Sequence, residues 1–207
     1  MTDFNRKKHW ENIYETKTLK EVSWFQPTPE TSLDFIQKMN LPKDAAIIDI
    51  GGGDSFLVDH LLNLEFSNIS ILDISEKAIE RAQKRFGTKA NLVKWIVSDI
   101  TEFKPKEKYD FWHDRAAFHF LTNPKDMRKY VEIAEKSINQ NGLLFIGTFS
   151  ENGPKKCSGI EIKQYSEESL KAIFQNSFVP IESFTIDHKT PFDTIQNFLF
   201  YGFRKIS

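Results

Sequence analysis

"IIDIGGGDSFLVDHLL", residues 47–62, sets three consecutive glycines between an apolar run and a segment with helical spacing. The run "AAIIDI" (45–50) is short and almost wholly apolar, which predicts a strand buried on both faces. In "DSFLVDHLLNL" (54–64), Phe56, Leu57, His60, Leu61 and Leu64 fall on one side of a helix. A glycine turn between a first strand and a helix lies at the carboxyl edge of a sheet, where open α/β folds bind ligands. Glycines there permit close backbone approach, and the helix N-terminus adds a positive dipole end. Taken alone, the turn is compatible with a phosphate, a dinucleotide or no more than a tight strand-to-helix connection.

Outward from this stretch, strands and helices alternate. "NISILDI" (68–74) reads as a strand, "SEKAIERAQKRF" (75–86) as a helix capped by Ser75, and "VKWIVSD" (93–99) as a third strand. "YDFWHDR" (109–115) is a fourth strand, "NPKDMRKYVEIAEKSI" (123–138) a helix with Pro124 in its first turn, and "GLLFIGTF" (142–149) a fifth strand. The short link "ITEFKPKEK" has room for a turn of helix at most. Such alternation predicts a parallel sheet with helices on both faces, because parallel strands need crossover connections. After a helix at "SEESLKAIFQNS" (166–177), "FVPIESFTIDHKT" and "TIQNFLFYGFRK" are separated by "PFD", a spacing suited to an antiparallel hairpin. The prediction is one α/β domain with a seven-stranded, mostly parallel sheet and an antiparallel C-terminal strand.

The 207 residues are 40% hydrophobic and 28% charged, and 28 basic against 29 acidic side chains leave a net charge of −1. That balance gives no electrostatic reason to expect nucleic acid or an anionic membrane as partner. No apolar run is long enough to span a bilayer, and "MTDFNRKKHWENIY" lacks the core of a secretory signal, so a cytoplasmic protein is expected. A single cysteine, Cys157, excludes an intrachain disulfide and a cysteine-rich zinc site.

Three carboxylates narrow the choice of ligand. Asp73 ends the second strand, where an acidic side chain accepts the hydroxyl protons of a ribose. Asp99, ending the third strand, supplies an acceptor suited to the exocyclic amine of a base, and Asp49 precedes the glycines, where it orients the loop or meets a cationic ligand group. A Walker loop would need a lysine after the glycines, and none follows. A dinucleotide turn would prefer glycine where Phe56 stands. The combination favours a nucleoside-bearing cofactor without a phosphate to cradle.

With these residues in place, the chain from about Leu33 to its C-terminus resembles the class I S-adenosylmethionine-dependent methyltransferases, which have a Rossmann-like fold. Asp49, Gly51 and Gly53 match their first motif, with Ser55 in place of the third glycine; Asp73 matches the acidic residue after the second strand, and Asp99 with Ile100 the motif after the third. The resemblance implies S-adenosyl-L-methionine as cofactor. It places Gly51 and Gly53 beside the methionine part, Asp73 on the ribose, Ile74 against adenine and Asp99 on the adenine amine. It also places His113 and Asp114, at the tip of the fourth strand, near the methionine end and the substrate. No metal site is expected. The segment "HWENIYETKTLKEVSWFQPTPE" is similar to the opening of small bacterial methyltransferases of unassigned substrate, and more distantly to thiopurine and protein-lysine methyltransferases, where it covers the cofactor. Residues 1–32 are therefore expected to be a cofactor-covering segment and 33–207 the methyltransferase domain. Trp10 and Tyr14 would share a helix face, and Trp10 and Trp24 are read either as parts of a lid or as anchors on the core.

The expected reaction is in-line transfer of a methyl group to an N, O or S nucleophile of a small molecule or protein side chain. His113 is the candidate proton acceptor, with Asp114, His119 and Tyr165 as further candidates for substrate contact. His119 also reads as a packing residue, Tyr165 as the residue before a helix cap, and Arg115 as a structural partner of Asp110 or Asp114. Two alternatives share the pattern: a nicotinamide-dependent oxidoreductase, and a non-catalytic module that binds S-adenosylmethionine.

Overall fold

Every residue of β1 (Ala46–Ile50) is buried, as a strand covered on both faces must be. The computed structural model describes residues 4–206, so the first three residues of the expected N-terminal segment lie outside the described residues. β2 (Asn68–Asp73), β3 (Val93–Val97), β4 (Tyr109–Arg115) and β5 (Ile138–Phe149) extend a sheet in which β1 pairs in parallel with β2 and β4. A two-stranded ribbon, β6 (Lys156–Cys157) and β7 (Ile160–Glu161), precedes the C-terminal hairpin of β8 (Phe178–Lys189) and β9 (Ile195–Lys205). The main sheet is seven-stranded, in the order β3-β2-β1-β4-β5-β9-β8, with β9 antiparallel to both neighbours. The architecture is the one expected from the alternating pattern.

Helices cover both faces. On one side, Phe35 and Ile36 of α2 (Glu30–Met39), Leu57 and Leu61 of α3 (Leu57–Asn63), and Ile79 and Phe86 of α4 (Glu76–Phe86) pack on Ile47, Ile69 and Phe111. On the other, Tyr130 of α5 (Pro124–Ser137) and Leu170 and Phe174 of α6 (Glu167–Phe174) pack on Ile48, Trp112 and Leu144. An N-terminal helix, α1 (Arg6–Thr16), has Asn5 as its cap. The caps follow the sequence: Ser75 Oγ accepts from Ala78 N, and Asn123 caps α5 with Pro124 in its first turn.

Three boundaries differ from expectation, each for a visible reason. The helix expected from residue 54 begins at Leu57, because the Arg85 guanidinium takes the Asp54 and Ser55 carbonyls at 2.7 and 2.6 Å and holds them in a loop. The fifth strand begins at Ile138, opposite Tyr109, and a register shift between Tyr109 and Phe111 absorbs the extra residues. The boundary drawn between residues 32 and 33 falls inside α2, whose Ser32, Phe35 and Ile36 are all buried.

Candidate active site

A cavity opens at the carboxyl ends of β1 to β4 and is roofed by α1 and the segment that follows it. Its floor is the glycine turn. Gly51 and Gly53 hold φ angles of +64° and +46°, in the left-handed region that favours glycine. A Cβ on Gly51 would stand 2.7 Å from the Ala117 Cβ, and one on Gly53 would stand 2.5 Å from the Tyr14 hydroxyl and 3.0 Å from Asp73 Oδ2. Gly51 lines the cavity directly, whereas Gly53 leaves room behind it for Tyr14 and Asp73. Ser55, in place of the third glycine, is accommodated as a donor to Asp49 Oδ2 at 3.3 Å.

Asp73 lines the cavity from the tip of β2. Its Oδ1 accepts from Ser75 N at 2.8 Å, while Oδ2 lies beside Gly53. Burial pushes this carboxyl up to about 7, and the nearby Asp54, Asp49 and Glu11 add to the shift. The Tyr14 phenol is also pushed well above its ordinary range, by burial and by Asp73, so it remains protonated. A vicinal diol would give this carboxylate the donors that its surroundings lack.

Ile74, Ser98, Asp99 and Ile100 continue the wall along the tips of β2 and β3, with Leu121. Asp99 is partly spent: Oδ1 accepts from Thr101 N and Oγ1 at 2.9 and 2.8 Å, and Oδ2 pairs with Arg6 at 2.9 Å. A carboxylate has about four acceptor positions, so one remains for a further donor. The apolar walls and this acceptor suit a purine with an exocyclic amine. The acceptors Asp73 and Asp99 with the Tyr14 hydroxyl, together with the space left at Gly51, fit S-adenosylmethionine.

Two residues expected at the reacting centre are elsewhere. His113 is 2% exposed, lines no part of the cavity, and has both ring nitrogens engaged, Nδ1 with Asp49 Oδ1 at 2.6 Å and Nε2 with Ser32 Oγ at 2.8 Å. Strand alternation is the reason: His113 pairs in register with Asp49 and shares the face of Phe111, beneath α2. Asp114 is fully buried on the other face; its oxygens accept from Ala117 N, Phe118 N and the Tyr130 hydroxyl at 2.9, 3.2 and 2.7 Å. It fixes the turn after β4, and burial raises it to about 6 against those hydrogen bonds. Neither side chain can reach a substrate in this arrangement. His119 stacks on Phe149, accepts from Phe149 N, and is held down at about 3 by burial and the Arg115 charge, so it stays neutral. Tyr165 donates to Met127 Sδ and lies outside the cavity.

The N-terminal aromatics do reach the site. Trp10 sits edge-on to Trp24 and Phe120 at centroid distances of 5.8 and 4.9 Å, and all three line the cavity with Tyr14. α1 is also tied down: Glu11 accepts from Ser75 Oγ, Glu76 N and Lys77 N, Arg81 donates to the Tyr14 and Lys17 carbonyls, and Arg6 pairs with Asp99 and Asp126. The roof is therefore an anchored one. Arg6, Arg115, Phe149, Gln196 and Phe198 line the cavity without having been expected there. The sequence carries no signal for Arg115, because only the folded chain shows that Asp110 accepts from Ala46 N and Asn139 instead.

Comparison with known proteins agrees with this geometry. Residues 48–144 match the family model described as a methyltransferase domain. Over these residues the chain is similar to methyltransferase domains, and its fold is that of S-adenosylmethionine-dependent methyltransferases. Among its relatives, malonyl-(acyl-carrier protein) O-methyltransferase 2 of Ilyobacter polytropus is 30% identical over 142 residues, covering 66% of this chain and 50% of the relative. EEF1A lysine methyltransferase 2 of Homo sapiens is 32% identical over 82 residues, 36% of this chain and 35% of the relative. The chain thus spans half or less of these relatives' length. The N-methyltransferase NodS from Bradyrhizobium japonicum, solved with S-adenosyl-L-homocysteine, shares the fold with a TM-score of 0.73 at 16% identity, over 98% of this chain and 100% of that one.

Proposed function

We propose that this protein transfers the methyl group of S-adenosylmethionine to a nitrogen, oxygen or sulfur atom of a small molecule. When bound, the cofactor would supply an electrophilic methyl on a sulfonium whose thioether is the leaving group. The chain's own share is binding, orientation and exclusion of water. Asp73 and Tyr14 meet the ribose hydroxyls, Gly51 makes room for the methionyl chain while Gly53 leaves space for Tyr14 and Asp73, and Ile74, Ile100 and Asp99 receive the base. Trp10, Trp24 and Phe120 roof the reacting region. Holding two reactants in line can contribute roughly 7–11 kcal/mol of the barrier.

No histidine is among the described residues that line the cavity. This favours an acceptor that needs no base, such as an uncharged amine, a thiolate or a carboxylate oxygen. By their names, the relatives act on a carrier-bound malonyl group and on a protein lysine. The anchored roof of α1 and Trp24 favours a small free acceptor here. A net charge of −1 leaves little to attract nucleic acid, and a cytoplasmic setting suits a chain with one cysteine. Among the described residues, no helix is long and apolar enough to cross a membrane.

The observation that carries this reading is the buried Asp73 carboxyl at the β2 tip, with Oδ2 beside the Gly53 turn. Calorimetric titration with S-adenosylhomocysteine tests it. Saturable one-to-one binding is expected, with NADH giving no heat; the reverse preference would restore the oxidoreductase alternative.

A further inference from the structure

Arg115 ends β4 at the cavity wall, and its guanidinium is only partly satisfied. Nη1 donates to the Trp24 carbonyl at 3.1 Å, while Nη2 is sealed from solvent and has no hydrogen-bond partner among the described residues. The carboxylates that could neutralise it are committed elsewhere: Asp110 to Ala46 N and Asn139, Asp114 to the turn and Tyr130, and Asp49 to His113 and Ser55. Burial lowers Arg115 to about 10, opposed by Asp49, so it remains a cation at neutral pH. The other titratable groups that feel its charge are His119 and His188, both lowered first by their own burial. A half-buried cation with a sealed, unpaired N–H is costly unless something completes it.

The surroundings say what does. The guanidinium lies 5.6 Å from the ring centroid of Phe198 on β9, which places it on the β9 side of β4. Phe149 from the end of β5 lines the same region. Gln196, also on β9 and buried, has an Oε1 without a partner among the described residues. Between Gln196 and Phe198 on β9 and the Asp73 strand stand β1, β4 and β5, whereas Arg115 on β4 is separated from that strand by β1 alone. Arg115 and Gln196 thus share an aromatic corner of the cavity with Phe149 and Phe198, each with one sealed polar atom unpartnered among the described residues.

We infer that this corner binds the carboxylate of the methyl acceptor, a small aromatic or apolar acid whose own N–H or O–H reaches Gln196 Oε1. The guanidinium is suited to the task, since its planar donors match a carboxylate and such charge-assisted bonds are strong. The inference rests on the methyltransferase reading for the word acceptor. The rival source of a carboxylate is the methionyl end of the cofactor itself.

Two calorimetric arms separate these sources. In the first, S-adenosylhomocysteine is compared with its decarboxylated analogue. In the second, benzoate and indole-3-acetate are compared with their primary amides, on protein with and without saturating S-adenosylhomocysteine. Each arm uses wild type, Arg115→Gln and Arg115→Lys, with folding checked by circular dichroism. The acids should bind about tenfold or more tightly than the amides in the second arm. That preference should vanish in Arg115→Gln and survive in part in Arg115→Lys, while the first arm should show no Arg115-dependent difference. A preference confined to the first arm assigns Arg115 to the cofactor and overturns the inference. So does equal binding of acids and amides by wild type, a comparison that needs no variant. Failure of S-adenosylhomocysteine to bind at all would instead remove the methyltransferase reading, and the cofactor-free second arm would still decide whether the carboxylate site exists.

Discussion

Asp73 carries two opposed demands. Its carboxyl is raised from 3.8 to about 7 by burial, so between those values the folded protein holds a proton that the unfolded chain has released. Stability contributed by this group therefore falls as pH rises from about 4 to about 7 and stays low above that range. Ribose hydroxyls stabilise the ionised form, so cofactor affinity should rise with pH through about 7. Asp73→Asn should flatten the pH dependence of the unligated protein's melting temperature and raise that temperature at pH 8. The same variant should weaken S-adenosylhomocysteine by about tenfold or more. A variant that lost stability at pH 8 but kept its affinity would contradict both halves. At Gly53, valine meets a positive φ and the Tyr14 hydroxyl together. Gly53→Val should cost about 3 kcal/mol in denaturant unfolding and abolish cofactor binding, and normal binding would refute the close-approach argument.

The placement of Asp73 and Gly51 on the cavity wall was legible because it depends on the ends of strands, which buried apolar runs mark clearly. His113 was not, since its place is decided by pairing across the sheet with Asp49, and by Ser32 from a helix that the sequence pattern did not reveal. Arg115 was obscured for a similar reason: whether Asp110 or Asp114 is free to pair depends on which face each one presents.

Among the elements, α1 joins two duties that the sequence left open as alternatives. Its aromatic face roofs the cavity, while Glu11 caps the N-terminus of α4, the helix that begins just after Asp73. A carboxylate at that helix end is favourable both as a hydrogen-bond acceptor and through the dipole. Glu11→Ala should cost about 1 kcal/mol in unfolding free energy and should also weaken S-adenosylhomocysteine, because the roof and the Asp73 turn share this clamp. Loss of stability with unchanged affinity would reduce α1 to an anchor. The late start of α3 was beyond sequence periodicity, since Arg85 competes for the carbonyls from a different helix.

At the scale of the molecule, the order β3-β2-β1-β4-β5-β9-β8 distributes the chemistry. The tips of β2 and β3 bring Asp73 and Asp99 to the cavity, the turn after β1 brings Gly51, and the ends of β4, β5 and β9 bring the aromatic corner with Arg115. Alternating strands and helices followed by a hairpin made this order readable, because crossover connections leave few ways to arrange such a pattern. The central claim is methyl transfer to a small molecule, and transfer of tritiated methyl from S-adenosylmethionine into lysate separated into small-molecule, protein and nucleic-acid fractions tests it most directly. Label should appear in the small-molecule fraction with the wild-type protein and disappear with Asp73→Asn. Binding of S-adenosylhomocysteine with no label in any fraction, or label confined to protein or nucleic acid, would contradict the account.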